Sequence, residues 1–438
     1  MRKPLRGSGI GRLAALLALM LTLVAGVRAQ EVSSPNGSIK VALSLEEGKL
    51  SYSVTLDDMT MLEPSPLGLE TSIGSFASGL ELVGTKTASV EDHYTLPHGK
   101  VSEVHYQANE LTATLRNSNG HTLDVVFRVS DRDVAFRYRV TAGDLRRIVI
   151  QSEASGFNFP EGTTAYLTHQ VPWGEGFAKS KPSYEEGYMM NVPVGTRSPR
   201  GLGFTFPALF RYGNDGWALV SETGVSGKYC GSRLSDPTED GIYTIAFPDP
   251  RENAGRGEVE PAGSLPFETP WRTITVGRTL APIVETTVAT DLVEPLYEPT
   301  TDYKPGRATW SWILWQDNSM NERDQRAFID LAADLDFEYI LIDAWWDERV
   351  GREKMAELVK YAESKGVGVL LWYNSNGYWN DAPQSPRDKM DSAPIRQNEM
   401  AWLQSIGVKG LKVDFFGGDK QETIKLYEDI LTGANRYG

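Results

Sequence analysis

The sequence has one cysteine in 438 residues, Cys230, so no disulfide can form within the chain. A chain of this length buries enough apolar surface to fold without one. Cys230 is read as a buried structural thiol, not a nucleophile. Histidine is nearly as scarce. The five are His93, His98, His105, His121 and His169, and none follows position 169. The C-terminal third therefore cannot supply a Ser-His-Asp triad or a multi-histidine zinc site by itself. It also lacks a Walker A or Rossmann glycine fingerprint. Positive charge is in deficit: 44 Lys and Arg against 58 Asp and Glu give a formal net charge of −14. That balance disfavours nucleic acid and other polyanions as partners.

Long apolar runs are missing after the N-terminus, so no later segment is expected to span a bilayer. The N-terminus itself reads as a secretory signal over residues 1–29. Arg2, Lys3, Arg6 and Arg12 form a basic region, "LAALLALMLTLVAGV" is the apolar region, and Ala29 precedes a cleavage point that leaves Gln30 first. The mature protein is expected in the periplasm or outer envelope of a bacterium, without a transmembrane segment.

What is present divides into two patterns. Residues 30–293 read as β-structure. In "LTATLRNSNGHTLDVVFRVSDRDVAFRYRV", Asn119-Gly120 signals a hairpin turn. Val134, Phe136, Tyr138 and Val140 then alternate with Arg137 and Arg139, the period of an antiparallel sheet with one wet face. Some 260 residues of this kind imply a large sandwich. Pro295, Pro299 and Pro305 mark a linker over 294–306. From residue 307 strands and helices alternate: "TWSWILW", "YILIDAWW", "VGVLLWYNS" and "VKGLKVDFF" are strands, with helices near 322–335, 352–364, 394–405 and 420–431. Four βα units imply a parallel sheet. It is either a small open sheet or half of a (β/α)₈ barrel. Polar and aromatic residues close every strand (Gln316 and Asp317, Asp343 and Trp345, Asn374, Asp414), which favours the first half of a TIM barrel. The fold class expected is thus multidomain, a β-sandwich followed by an incomplete α/β barrel.

Acid-base work at those strand ends falls to carboxylates. The strand period of two puts Lys412 and Asp414 on one face and Val413 and Phe415 on the other, toward the helices. An aspartate beside an inward lysine is held as the carboxylate, which can attack an anomeric carbon. The alternative is a structural Lys-Asp pair. Asp343 has the same geometry one strand earlier, as a ligand for a sugar hydroxyl or a structural group, and Asn374 resembles it. Eight of the eleven tryptophans follow residue 308. Most are expected to fill the interior; Trp345 and Trp379 are the candidates to stack on a sugar ring. In the β half, "HQVPWGEGFAKSKPSYEEGYMMNVPVG" reads as a loop whose Glu185 and Glu186 suit Ca²⁺ or are simply exposed acids.

The stretches "PWGEGFAKSKPSYEEGY", "DYKPGRATWSW", "YILIDAWWD" and "VKGLKVDFFGGDKQETIKLYEDIL" together resemble glycoside hydrolase family 97, from about residue 31 onward. The resemblance implies an N-terminal β-super-sandwich, a catalytic (β/α)₈ barrel and a small C-terminal β-domain. It implies α-glycoside hydrolysis on an oligosaccharide or other α-glycoside, by α-galactosidases or α-glucosidases. It also implies Ca²⁺, bound partly by a Tyr-Glu-x-x-Tyr loop that here matches Tyr184, Glu185 and Tyr188. The retaining branch carries an aspartate nucleophile at the end of the fourth strand, where Asp414 stands, so a retaining α-galactosidase is expected. The general acid/base would be a glutamate beyond residue 438, ~5–5.5 Å from the nucleophile, and the chain alone is expected to be inactive. An inverting α-glucosidase and a noncatalytic carbohydrate-binding protein are the competing readings.

Overall fold

The computed structural model describes residues 30–97, 99–141, 147–175, 186–377 and 380–438. The signal expected over 1–29 lies outside them. Among the described residues no helix is long and apolar enough to cross a membrane.

The β-rich part is built on a ten-stranded antiparallel sheet that runs from an edge at Met189–Pro193 to an edge at Glu81–Thr95. The expected hairpin joins Glu103–Arg116 to Thr122–Ser130. Gly120 takes φ +82°, which a side chain would resist, while Asn117 Oδ1 accepts the N–H groups of Asn119 and His121 at 3.1 and 3.0 Å. Asp133–Thr141 pairs next, and its alternation is as expected: Val134, Phe136, Tyr138 and Val140 are fully buried. They face a second sheet formed by Gln30–Ser33, Ile39–Glu46, Lys49–Leu56 and Met59–Leu67. Tyr52 of that sheet touches Phe127 and Phe136, with ring centroids 5.6 and 5.2 Å apart. Two apolar faces closing on each other hold this part together, and truncating one ring such as Phe136 would cost ~3–5 kcal/mol. On the opposite face the Arg137 guanidinium lies 4.4 Å from the centre of the Trp271 ring. Cys230 is buried and free, and burial pushes its thiol well above the usual range, as suits a structural cysteine.

The remaining chain forms four parallel strands in sequential order: Ala308–Trp310, Tyr339–Ile342, Gly368–Asn374 and Gly410–Asp414. Helices Glu322–Asp334, Arg352–Ser364, Ala393–Ile406 and Gln421–Asn435 follow them. Local signals place the helix ends. Asn321 caps the first helix by accepting the Asp324 N–H at 3.0 Å, Pro394 stands in the first turn of the third, and Gly407 ends that helix at φ +91°. Ile340, Ile342, Val369, Leu371 and Tyr373 point to the helices and form a second core. The sheet is open, and the outer strand Gly410–Asp414 keeps Leu411 and Val413 only partly buried.

Two local expectations fail. "TWSWILW" is not one strand: it is extended only to Trp310, then Trp312–Trp315 forms a helical turn. The buried Ser311 hydroxyl turns the chain there, held by Ser319 Oγ and Gln325 Nε2 at 2.9 Å each. Phe415 does not continue the strand alternation toward the helices. Its φ of +62° swings it beside Trp372, and Phe416 packs on the helix side against Tyr427 instead.

Candidate active site

Strand register gathers the site. Trp372 pairs with Lys412 and Asn374 with Asp414, while Trp310 aligns with Leu341 one position pair before Asp343. The alternation of the pleat therefore places Trp310, Asp343, Trp372, Asn374, Lys412 and Asp414 on the face away from the helices.

Lys412 is the centre of this group. Its Nζ lies 3.3 Å from Asp343 Oδ2 and 3.6 Å from Asp414 Oδ2, and 4.5 Å from the centre of the Trp310 ring. Asp343 is 4% exposed. Its Oδ2 also accepts the Trp310 indole N–H at 2.8 Å, and its Oδ1 the Ala344 N–H at 2.8 Å. Asp343 thus fixes Trp310 and Lys412. The Asp414 side chain is 36% exposed, so it is the carboxylate of the pair that a ligand can reach. The Phe415 N–H donates to its Oδ1 at 2.8 Å and the Trp372 indole N–H to its Oδ2 at 3.1 Å. Those donors fix the plane of the carboxylate and leave lone-pair positions free. An oriented, accessible carboxylate beside a cation is competent to attack an electrophilic carbon.

The other expected residues are placed differently. Asn374 is fully buried. Its Nδ2 donates to Gln384 O at 3.1 Å and its Oδ1 accepts from Asn376 N and Asn380 Nδ2 at 3.1 and 2.9 Å. It organises the following loop and presents no atom for a sugar hydroxyl. Trp345, at φ +73°, donates its indole N–H to Asp317 at 3.2 Å and lies under Arg349. Trp379 and Glu185 lie outside the described residues, and Glu186 is half-buried. Trp372 and Trp310 were not singled out from sequence. Part of their signal was present in the period of two, which puts Trp372 on the same face as Asn374; that Trp372 lies level with Lys412 comes from the strand register.

Sequence comparison decides the family. The family description "Glycosyl-hydrolase 97 N-terminal" matches residues 32–295, and "Glycoside hydrolase 97" matches residues 304–438. The chain belongs to glycoside hydrolase family 97. A probable retaining alpha-galactosidase of Streptomyces bingchenggensis is 30% identical over 444 residues, covering 96% of this chain and 63% of that protein. A crystal structure of a beta-arabinopyranosidase is 54% identical with a TM-score of 0.91, covering 93% of this chain and 65% of that one. A family 97 enzyme of Pseudoalteromonas sp. strain K8 in complex with panose shares the fold at 21% identity and a TM-score of 0.75, again over 93% and 65%. The chain spans less than two thirds of the length of each of these three proteins.

Calcium is implied by the family resemblance. Among the described residues no group of three or more His, Cys, Asp or Glu side chains is placed to hold a metal ion.

Proposed function

We propose that this family 97 chain carries the nucleophile of a retaining, exo-acting glycosidase, with Asp414 in that role. The carrying observation is the placement of Asp414 at a parallel strand's C-terminal tip, accessible and oriented by Trp372 and Phe415. In the first step an Asp414 oxygen bonds to the anomeric carbon while the bond to the leaving oxygen breaks. That oxygen takes a proton from a general acid. Water then bonds to the anomeric carbon as the glycosyl ester bond breaks, giving its proton back to the conjugate base of that acid, and the Asp414 carboxylate is restored. Lys412 keeps a positive charge beside Asp414, and Asp343 holds Lys412 in place.

The substrate proposed is a pyranoside with the ring configuration of α-galactose. A β-L-arabinopyranoside has that ring and lacks only the hydroxymethyl group on C5. The α-galactosidase and beta-arabinopyranosidase relatives both support this shared ring, and the higher identity of the latter favours the arabinopyranoside. Aryl β-L-arabinopyranoside and aryl α-galactoside, offered to the complete gene product, test the choice. Hydrolysis of aryl α-glucoside in preference to both would refute it.

The four parallel βα units are proposed to be half of an eight-unit barrel, with the acid/base carboxyl on the other half. The 438-residue chain assayed alone is then expected to show no turnover, and measurable turnover would refute this. Export is proposed from the basic and apolar N-terminus, and a mature protein beginning at Gln30 is the expected result of N-terminal sequencing. Calcium at Glu185 and Glu186 is kept as a proposal: adding Ca²⁺ after chelation should raise the melting temperature, and Glu185→Gln should remove that rise.

A further inference from the structure

The loop that follows Asp414 is set by residues of the β-rich part. Gly417 O accepts the Asn253 N–H at 2.7 Å, and Asp419 O accepts the Gly231 N–H at 2.8 Å. Lys420 Nζ donates to the carbonyls of Pro250, Arg256 and Gly257 at 2.9, 3.1 and 3.1 Å. A buried carboxylate joins these contacts. Glu252 is 1% exposed; its Oε2 accepts the Asp419 N–H and its Oε1 the Asp249 N–H, at 2.8 and 2.9 Å. Gly418 lies so close that a Cβ there would fall 2.3 Å from Glu252 Oε2. The loop begins at Asp414 itself and contains Gly417 and Gly418 in succession, so it has little conformational preference of its own. Asn380 Nδ2 holds the Phe415 carbonyl at 2.9 Å; from Gly417 onward the loop's shape depends on the external grip, which reaches, through Phe416, the Phe415 N–H that orients the Asp414 carboxylate.

We infer that Glu252 is a positioning residue for the nucleophile: it holds the backbone of the loop after Asp414 through the Asp419 N–H. This rests on the nucleophile role proposed for Asp414. It also predicts a pH response. Glu252 faces Arg233 at 3.5 Å, Asp419, Lys420, and Asp249, which is itself paired with Arg251 at 2.7 Å. Burial first and the Asp419 charge second push the Glu252 carboxyl up to about 7, opposed by Arg233. The ionised form offers a full acceptor oxygen to each N–H group, whereas protonation turns one of the two oxygens into a hydroxyl, a weaker acceptor. The grip therefore slackens as pH falls through that value.

The test uses a fluorinated glycosyl fluoride of the preferred sugar on the complete gene product. An Asp414 oxygen forms the ester bond to the anomeric carbon as fluoride leaves with the bonding pair, and no general acid is needed. Wild type should label at Asp414 faster at pH 8 than at pH 5. Glu252→Ala should label about tenfold more slowly at saturating probe, with the probe's affinity unchanged. Glu252→Gln, uncharged and with one acceptor oxygen, should label at a rate that no longer changes near pH 7. Labelling of the alanine variant within about twofold of wild type overturns the inference. If the alanine variant does not fold, the glutamine variant decides: an unchanged inflection near pH 7 overturns it. A wild type that does not label at Asp414 instead overturns the nucleophile reading beneath it.

Discussion

Lys412 and Asp343 should be energetically coupled, and a double-mutant cycle measures by how much. Two opposite charges 3.3 Å apart attract by about 5 kcal/mol at an effective dielectric of ~20. Much of this is offset, because Asp343 gives up its hydration at 5% side-chain exposure while Lys412 keeps 34%. A coupling of about 2 kcal/mol remains, within the range seen for contacting residues. The variants are Lys412→Met, Asp343→Asn and the pair. Lys412→Met alone should be the worst of the three, since it leaves Asp343 buried with only the Trp310 and Ala344 N–H donors. The double variant should recover part of that loss. Urea unfolding followed by tryptophan fluorescence reports on this part of the chain, where eight of the eleven tryptophans lie. A coupling below about 0.5 kcal/mol would refute the reasoning and make Lys412 a solvated lysine that merely passes near two carboxylates.

Asp414→Asn should lower turnover by ~10⁴-fold or more with unchanged circular dichroism, and near-normal turnover would remove Asp414 from the chemistry. Stability should also vary with pH through two buried acids. Burial raises Asp133 to about 6, and burial with the Asp419 charge raises Glu252 to about 7, so both bind a proton in the folded chain that the unfolded chain has released. Their stabilising contribution is complete below pH ~4 and is lost as pH rises through those values. The unfolding free energy of wild type relative to Glu252→Gln, from urea titrations, should therefore fall between pH 5 and pH 8, by at most ~2–3 kcal/mol, and a constant difference would contradict the raised Glu252. Arg272→Met should cost about 3–5 kcal/mol, because fully buried Arg272 holds Glu153 at 2.7 Å and also Glu222. A melting temperature within a degree or two of wild type would show that the Arg272 charge is dispensable.

The parallel sheet and its strand ends were legible because the sequence alternates there with few exceptions. Lys412 and Asp414 are two residues apart on a strand, and the structure puts both beside Asp343. The period of two carried that information directly. The same alternation contained Trp372 and Trp310, but tryptophan in an apolar strand reads as filling. Their indole N–H bonds to Asp414 and Asp343 depend on neighbouring strands. "TWSWILW" misled because an apolar run has no period to tell a strand from a turn of helix, and the buried Ser311 contacts that bend it are set by residues further along the chain. Asn374 misled for a related reason: a polar residue at a strand tip satisfies its own loop as readily as a substrate. Glu252 had no local signal at all, since it meets Asp419 across 167 positions.

Retention of configuration tests the central claim most directly. The complete gene product is given aryl β-L-arabinopyranoside and aryl α-galactoside, and proton NMR identifies the anomer of the first-formed sugar before mutarotation. With Asp414 as nucleophile, two displacements at the anomeric carbon leave the sugar in the anomeric configuration of the substrate. A first-formed sugar of the opposite anomer would mean a single displacement by water, and would contradict the account.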